Sequence, residues 1–547
     1  MKIRLLLLLF FFCFPMGLLA QNSPATYWVK LKDKKGTPYQ ITQPQDFLSQ
    51  RSIDRRLKQR IWIDETDLPV SPLYIDSLEE MGAEVVHSSK WLNGTTVRMA
   101  DAALVEAIAA LPFVESVQLT KPSNLMKSAR QKFKEPEGAA DVPPAHYGNA
   151  YNQLDQLNGQ FLHNNGFRGR GIHIAVLDAG FWKVNEIAAF DSLRSSNRIL
   201  GTRDIVDPQS DFYQQHSHGT SVLSTMGGNI PGALVGTSPD ASFYLYRSED
   251  DATEYLIEED NWVVAAELAD SAGVDVINSS LGYYVFDDPQ MNHRYADMNG
   301  TANRVTQGAN MAFEKGILVF ASAGNEGDNS WETIISPSDG ENVLAVGAVD
   351  QSGIRAPFSS VGPAFGGAVK PNVSARGAST FLVRSNGELG YSNGTSFSSP
   401  VLAGMGACLL QANPEATVKQ IKLGIEQSAH QYSTPDSLLG FGIPDFQKAD
   451  QIVKILVEKM KASQASWEVS PNPFSESLTI RQLTAEESGS CHVSIYSLQG
   501  VNLWESTFSS TQTIGLSNLG RLPQGFLILN IRSQGKQEQF KLIKINR

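Results

Sequence analysis

The chain has 547 residues, 41% of them hydrophobic and 19% charged, and its 45 basic and 57 acidic residues give a net charge of −12. This is the composition of a globular protein with several domains, and its acidic balance argues against a nucleic-acid-binding protein. Only three cysteines occur, and Cys408 and Cys491 lie far apart in the chain, which excludes a disulfide framework.

The first twenty residues form a targeting signal. Lys2 and Arg4 precede an apolar run from Leu5 to Phe14, and the small residue Ala20 follows shortly after. The run is shorter than the ~20 residues that span a bilayer, so the pattern favours a cleaved signal peptide over residues 1–20 rather than an anchor. No later stretch is apolar enough to cross a membrane, and we expect an exported protein.

Residues 21–120 have the pattern of a small α+β module. Apolar and polar residues alternate over 27–31, as in a half-buried strand. One predicted helix begins at Pro72 and stops at Gly82, and another is capped by Asp101. We therefore predict two helices packed among strands.

A basic stretch follows in residues 121–150. Five lysines and arginines occur between Lys121 and Lys134 with no acidic residue before Glu135, and prolines and glycines come next. Such a composition cannot form a core, and it predicts an exposed linker. A proteolytic processing site and a plain tether both fit the composition.

Residues 151–461 contain short apolar runs, mostly introduced by glycine, at 171–177, 273–277, 316–320 and 343–346. Helical stretches lie between them. Runs of this kind are typical of strands buried on both faces of a parallel sheet, so we predict an α/β fold with a doubly wound, mostly parallel sheet. Chemistry in such sheets collects at the carboxyl ends of the strands.

Residues 467–547 show no convincing helix. Short apolar segments separated by turn residues predict a small all-β sandwich with its own core.

Three residues of the α/β region have the types needed for nucleophilic acyl transfer. Asp178 directly follows an apolar strand, His218 precedes a run of small residues, and Ser396 precedes a predicted buried helix. A serine hydroxyl needs an imidazole to take its proton and a carboxylate to orient that imidazole. The N-terminus of a helix beneath Ser396 would also favour negative charge on the substrate oxygen.

Asn325 supplies a fourth candidate, because the glycines around it allow a turn that points its amide into a cleft as an oxyanion donor. Each residue alone has a plainer interpretation. Asp178 and Ser396 could cap helices, and His216 with His218 could bind a metal, although no third ligand lies nearby. The four residues together, in this order, favour catalysis.

These segments resemble the signatures of subtilisin-type serine peptidases, the subtilases. The similar strings are LDAG, HSHGTS, NSSLG, SAGNEG and GTSFSSP, and the likeness covers residues 153–446. It implies that Asp178 orients, His218 is the general base and then acid, Ser396 is the nucleophile and Asn325 is the oxyanion donor. It also implies a cleft for an extended polypeptide substrate, lined by Ser280, Leu281, Gly282, Ala323, Gly324 and Glu326.

The chain departs from the family where typical subtilisins have a Gly- and Ser-rich substrate-binding strand. Here residues 248–254 carry four acidic residues. Together with Glu326 they could favour basic residues in the substrate. A solvated acidic helix start, continuing through Glu258, is the interpretation we favour from sequence.

The flanking modules fit the same resemblance. Residues 21–120 resemble the propeptides that guide folding and act as intramolecular inhibitors, which implies cleavage within the linker during maturation. Residues 467–547 resemble the C-terminal sorting domain of type IX secretion cargo, although an accessory binding domain is an alternative. We expect a monomer that is secreted or displayed on the cell surface by way of the periplasm and that is engaged by the secretion machinery through this domain.

No cofactor is expected to be required. Many subtilases bind calcium, but no oxygen-rich ligand string identifies a calcium site here. A catalytically silent binding protein or adhesin that retains the fold is the main competing function. An esterase would use the same residue types, but lipase-like hydrolases place serine first, whereas this chain has the order acid, histidine, serine.

Overall fold

The computed structural model describes residues 24–123, 125, 132–133, 146–462, 467–483, 490–509, 513–533 and 536–545. The chain divides into two compact units, Met1–Ile452 and Val453–Arg547. The predicted signal peptide lies outside the described residues, as does most of the predicted linker. Within the described part of the chain, no helix is both long and apolar enough to cross a membrane.

The first unit begins with an antiparallel four-stranded sheet in the order β2-β3-β1-β4. Its elements are β1 (Ala25–Leu31), α1 (Gln50–Gln59), α2 (Pro72–Glu80), β2 (Glu84–Ser89), β3 (Gly94–Met99), α3 (Ala102–Ala109) and β4 (Val114–Lys121). The predicted helices α2 and α3 are confirmed, and the Asp101 side chain accepts a hydrogen bond from the backbone N–H of Leu104.

The expected number of two helices was wrong, because α1 was not predicted. Its sequence is rich in Arg, Lys and Gln, and Ile53 and Leu57 are its only apolar residues. Arg55 and Arg56 are nevertheless buried, and both bind the buried carboxylate of Asp270. A helix held by buried ion pairs leaves no hydrophobic stripe in its sequence.

The α/β part of the first unit carries the large sheet. Its helices are α4 (Tyr151–Asp155), α5 (Gln160–Asn164), α6 (Asp191–Ser195), α7 (His218–Gly227), α8 (Ile257–Ala272), α9 (Arg304–Glu314), α10 (Thr395–Ala412) and α11 (Val418–Ser428), and α12 (Phe446–Ala462) begins in this unit and continues past Ile452. Its strands are β5 (His173–Asp178), β6 (Ile199–Asp204), β7 (Asn229–Ile230), β8 (Leu234–Val235), β9 (Ser242–Arg247), β10 (Val276–Ser279), β11 (Leu318–Ser322), β12 (Leu344–Val349), β13 (Val373–Arg376), β14 (Thr380–Val383) and β15 (Leu389–Ser392).

Seven of these strands form one parallel sheet in the order β13-β12-β11-β10-β5-β9-β6, which confirms the predicted fold class. On one side of β5 the strands follow in chain order out to β13, whereas on the other side β9 pairs with β5 and the earlier strand β6 lies at the edge. Ligands of such sheets bind where the order of the strands reverses. Leu177 pairs with Ser279, and Ser279 pairs with Ala321. The carboxyl ends of β5, β10 and β11 are therefore level with one another.

The second unit contains two antiparallel sheets, β16-β17-β20 and β19-β18-β21-β22. Their strands are β16 (Trp467–Ser470), β17 (Leu478–Gln482), β18 (Cys491–Ser497), β19 (Asn502–Phe508), β20 (Thr513–Leu516), β21 (Gly525–Ser533) and β22 (Lys536–Lys544). Both sheets contribute to one apolar core that includes Ile480, Val493 and Leu529. The predicted all-β architecture is confirmed, and both described cysteines, Cys408 and Cys491, are free and buried.

Candidate active site

A carboxylate and an imidazole meet at the carboxyl end of the sheet. Asp178 is the last residue of β5 and His218 is the first residue of α7. Nδ1 of His218 lies 2.7 Å from Oδ1 of Asp178, and both side chains are buried. A Cβ atom at Gly219 would lie 2.5 Å from the carbonyl oxygen of Gly180, so only glycine allows α7 to approach this closely.

Ser396 lies in the first turn of α10, where backbone N–H groups have no partner within the helix. Its position is fixed by reciprocal bonds with the residue that follows β10. Ser280 Oγ donates to the carbonyl of Ser396 at 2.8 Å, and Ser396 Oγ donates to the carbonyl of Ser280 at 3.4 Å. Ser399 Oγ also donates to Asn278 Oδ1 at 2.9 Å, so two residues of α10 are bonded to the end of the central sheet.

The orientation of the Asn325 amide follows from its partners. Oδ1 of Asn325 accepts from the backbone N–H of Thr395 at 2.8 Å and from its hydroxyl at 2.9 Å. A backbone N–H can only donate, so the oxygen faces Thr395 and the NH₂ group is left for the cleft. Asn325 is exposed, unlike its buried neighbours Gly324 and Glu326.

One cleft joins Ser396 and Asn325 to the predicted substrate-binding residues. It is lined by Lys132, Phe133, Glu249, Glu254, Ser280, Leu281, Gly282, Tyr284, Val285, Ser322, Gly324, Asn325, Glu326, Ile335 and Ser396. Five of the six substrate-binding residues predicted from the sequence belong to this lining. The sixth, Ala323, is not in the lining: its side chain is fully buried and packs with Ile334 and Ala364, so any role in substrate binding would fall to its backbone and stays a prediction.

Sequence reasoning missed Ile335, which narrows the cleft between its two walls. A Cβ atom on Gly282 would lie 2.3 Å from Cδ1 of Ile335, and one on Gly324 would lie 3.1 Å from it. Beside it, Tyr284 Oη donates to Glu326 at 2.6 Å. No motif marks these residues, because they reach the cleft only through folding.

Glu249 and the acids at the start of α8 are buried, although Asp251 between them is exposed, so the favoured interpretation of a solvated helix start was wrong. Glu249 and Glu258 are 3% and 1% exposed, and together with Glu254 they form a cluster whose oxygens lie within 4.8 Å of one another. We call these three carboxylates the glutamate pocket. Tyr283 Oη donates to Glu249 at 2.8 Å, and the backbone N–H of Asp250 donates to Glu258 at 2.9 Å.

Lys132, from the predicted linker, lies inside the glutamate pocket. Its Nζ is 2.7 Å from Glu249, 3.0 Å from Glu254 and 3.1 Å from Glu258, and its side chain is 8% exposed. Burial lowers the pKa of this lysine, but the three carboxylates more than offset that effect and raise the pKa well above its ordinary value. Burial, reinforced by the charge of Glu249, raises the pKa of Glu258.

Phe133, the next residue of the segment, packs against the ring of His218, the candidate catalytic histidine. Its ring centroid lies 4.2 Å from that of His218 and 4.7 Å from that of His216. The expectation of an exposed linker is therefore wrong at Lys132 and Phe133, the two residues of the 126–145 stretch that the structure describes. The lysine has acidic partners that lie more than a hundred positions further along the chain, which the sequence pattern could not reveal.

A second set of ion pairs joins the N-terminal module to α8. Asp270 is fully buried and binds Arg55, Arg56 and Lys90 of the module. Burial raises the pKa of Asp270, but these three cations outweigh it and lower the pKa to about 2. Glu267, one turn earlier, accepts hydrogen bonds from the hydroxyl of Ser89 and from two backbone N–H groups.

A parallel α/β sheet with an acid at the end of a strand, followed along the chain by a histidine and a serine that each lie at the start of a helix, with an amide bonded next to the serine, defines a class of serine hydrolase. Comparison with family models identifies it further. Residues 169–442 match the subtilase family, residues 26–136 match the peptidase S8 propeptide domain of Bacteroidota, and residues 468–546 match a secretion system C-terminal sorting domain. The chain belongs to the subtilase family.

Known relatives agree with this assignment. Subtilisin NAT of Bacillus subtilis subsp. natto is 30% identical over 338 residues, which cover 60% of this chain and 80% of the relative. Subtilisin of Bacillus pumilus is 30% identical over 302 residues, covering 54% of this chain and 98% of the relative. Serine protease AprX of Bacillus subtilis (strain 168) is 27% identical over 308 residues, covering 51% and 64%.

The predicted class of enzyme is thus confirmed as a serine-type endopeptidase of the subtilisin family, made with a propeptide. Its sorting domain marks it for type IX secretion and the cell surface, as the sequence predicted. The comparisons give no support to the alternative of a silent binding protein, because every relative named above is a peptidase.

Proposed function

We propose that the enzyme hydrolyses peptide bonds through an acyl-enzyme formed on Ser396. The observation that carries the proposal is the short contact between His218 Nδ1 and the buried Asp178 carboxylate. The His218 ring lies against Phe133, which lines the same cleft as Ser396. Asp178 holds the imidazole with Nδ1 protonated, which leaves Nε2 as the base for the Ser396 hydroxyl. No metal or organic cofactor enters this scheme.

The reaction moves the Ser396 hydroxyl proton to the leaving amine and places a negative charge on the substrate carbonyl oxygen. His218 Nε2 takes the Ser396 proton as Oγ attacks the carbonyl carbon, and the resulting imidazolium gives that proton to the leaving amine as the C–N bond breaks. The Asn325 NH₂ group and the backbone N–H groups at the start of α10 donate to the oxyanion. Water, activated by His218, then hydrolyses the acyl-enzyme.

The substrate lies extended between the two walls of the cleft in this proposal. Ser280, Leu281 and Gly282 follow β10 on one side, and Gly324 follows β11 on the other. Backbone groups beyond the ends of these strands can pair with a peptide strand, as in other cases of strand addition.

We propose further that the N-terminal module is an intramolecular inhibitor. The module is held to α8 by Arg55, Arg56 and Lys90, while Lys132 and Phe133 occupy the cleft beside His218. A substrate cannot occupy the same space. Activation then requires cleavage of the chain between residues 121 and 150, and the enzyme itself is the agent.

Labelling by a serine-directed fluorophosphonate tests the mechanism. The processed protein should be labelled, Ser396→Ala should not be, and Ser352→Ala, which removes an exposed serine, should be labelled as well as the parent. Asn325→Ala should lower kcat by about 10²–10³-fold, as for the equivalent donor in subtilisin. Labelling that persists in Ser396→Ala would place the nucleophile elsewhere.

Intact-mass measurement tests self-activation. The Ser396→Ala precursor should keep its propeptide, whereas the parent should lose it. If both are processed at the same rate, another protease cuts the chain and self-cleavage is wrong. That result would leave the proposed inhibitory role of the N-terminal module standing.

A further inference from the structure

The glutamate pocket is built so that it requires a cation. Glu249 and Glu258 are almost fully buried, and the side chain of Glu254 is 15% exposed. Three carboxylates this close and this far from water repel one another strongly unless a positive charge joins them. Among the described residues Lys132 supplies that charge, since the nearby Lys121 ammonium lies instead 3.6 Å from Asp250 and bonds to Thr253.

The acceptors of the pocket converge on a single point. Lys132 Nζ donates to Glu249 Oε1 at 2.7 Å, to the carbonyl of Asp250 at 2.7 Å and to Glu258 at 3.1 Å. An ammonium group has three donors around one compact charge, whereas a guanidinium presents a flat fork of five. The arrangement therefore fits lysine better than arginine.

The pocket is part of the peptide path and not a separate surface site. Glu249 and Glu254 line the same cleft as Ser396, and Lys132 enters from the cleft side, since the next residue, Phe133, lies against the His218 ring. The carboxylates belong to the enzyme domain, whereas the bound lysine belongs to the segment that activation is proposed to cut. Cleavage would leave the carboxylates in place without their cation.

We propose that in the processed enzyme the glutamate pocket binds a lysine side chain of the protein substrate, at one fixed position relative to the cleaved bond, and that Lys132 is the chain's own stand-in for it. The inference rests on the proposed function and adds a substrate class to it. A lysine-containing substrate restores the ion pairs that activation removes, so its binding is favoured by the charge of the empty pocket.

Cleavage of a random peptide library by the secreted, processed protein tests the proposal. Lysine should be enriched at one position, above arginine, and a peptide with lysine there should be cleaved with a kcat/KM about 10- to 100-fold higher than its norleucine analogue, the range expected for hydrogen bonds to a charged group. Norleucine has the length of lysine without the charge, so the ratio isolates the ammonium group.

Variants assign that preference to the pocket. Glu254→Gln, at the least buried of the three carboxylates, should lower the lysine-to-norleucine ratio about tenfold. Asp251→Asn removes the same charge from an exposed neighbour that does not bind Lys132, and it should leave the ratio unchanged. If the lysine-to-norleucine ratio fell equally in both variants, the overall negative electrostatic potential of the cleft, and not the glutamate pocket, would select lysine. The proposal would then be wrong.

Labelling by fluorophosphonate separates failure of this inference from failure of the proposed function. A protein that is labelled and cleaves the library without lysine enrichment refutes the inference and leaves the proposed function intact. Absence of both labelling and cleavage refutes the proposed function. A metal ion is the rival occupant of three carboxylates. If lysine preference appears only in EDTA and is abolished by added calcium, the pocket is a cation site instead.

Discussion

The two ends of helix α8 carry similar chemistry for different purposes. Near its start, Glu258 and the two other carboxylates of the glutamate pocket surround the single ammonium group of Lys132. In its last turns, Glu267 and Asp270 meet a folded module, through two backbone N–H groups and several cations. Both ends bury carboxylates against partners that come from the N-terminal part of the chain.

The difference lies in how the cations are held. Arg55 at the module end also donates to the carbonyl oxygens of Val274 and Lys315, and α1 fixes it beside Arg56. An interface of this kind recognises one folded surface. At the cleft end, a single ammonium group pairs with all three carboxylates, and any peptide that presents a lysine there could do the same. Buried ion pairs thus serve docking at one end and, in our proposal, substrate selection at the other.

Asp270→Asn should produce the largest effect, because it replaces the carboxylate paired with the buried Arg55 by an uncharged amide, whereas Arg56 keeps its second ion pair, with Asp67. Removing one member of a buried ion pair typically costs about 3–5 kcal/mol. In the Ser396→Ala precursor, we expect the module to become sensitive to trypsin at a clearly lower urea concentration. Asp251→Asn, an exposed carboxylate of the same domain, is the control and should not change the urea midpoint.

A weaker effect is expected from Lys132→Met, because the pocket can reduce its own charge by protonating Glu258, whose pKa is already raised by burial and by the charge of Glu249. Loss of the ammonium should release the segment that contains Phe133 from the cleft. In the Ser396→Ala precursor, a glutamate-specific protease should then cut the linker about tenfold faster, which corresponds to about 1.4 kcal/mol.

Lys35→Met is the matched control for that experiment, since the Lys35 side chain is 83% exposed and pairs only with Asp33 among the residues described. Equal protection of the linker in Lys132→Met and in the parent would show that the glutamate pocket does not hold this segment.

The smallest effect concerns pH, and the two ends should respond in opposite directions. The pKa of Asp270 in the folded chain, about 2, lies below its ordinary value of 3.8, so its stabilising contribution is complete above about pH 4 and is lost as the pH falls towards 2. The pKa of Glu258 is raised above 4.5, so its contribution is complete below pH 4.5 and is lost as the pH rises.

Urea unfolding of the Ser396→Ala precursor across this pH range measures both contributions. Glu258→Gln should remove a decline in stability above pH 4.5 of at most about 1.4 kcal/mol per pH unit, the value for one proton. Asp270→Asn should instead flatten the loss below pH 4. The same pH dependence in both variants would contradict the contrast between the two ends.

The catalytic candidates could be found from sequence because each follows or begins an element that its neighbours specify. Asp178 closes a run of buried apolar residues, and Ser396 lies in the first turn of a long buried helix. Parallel strands bring their carboxyl ends to one edge, so elements far apart in sequence were expected to meet there. The 2.7 Å contact between Asp178 and His218 agrees with that expectation.

Other features depend on partners that no local pattern announces. Helix α1 lacked a hydrophobic stripe because Arg55 and Arg56 are neutralised by a residue of another domain. The acidic residues around the start of α8 have the composition of a solvated surface. Glu249 and Glu258 are buried only because β9, α8 and the segment at Lys132 pack together. Ala323 has the right position in the motif but faces the core.

The sequence by itself determined the order of elements, the family and the residues at the strand ends, because local periodicity and short motifs encode them. Only the tertiary structure decided which charges are buried together and what occupies the cleft. The physical reason is that the free energy of a charge depends on the groups around it and on its distance from water, and both are set by packing between distant parts of the chain.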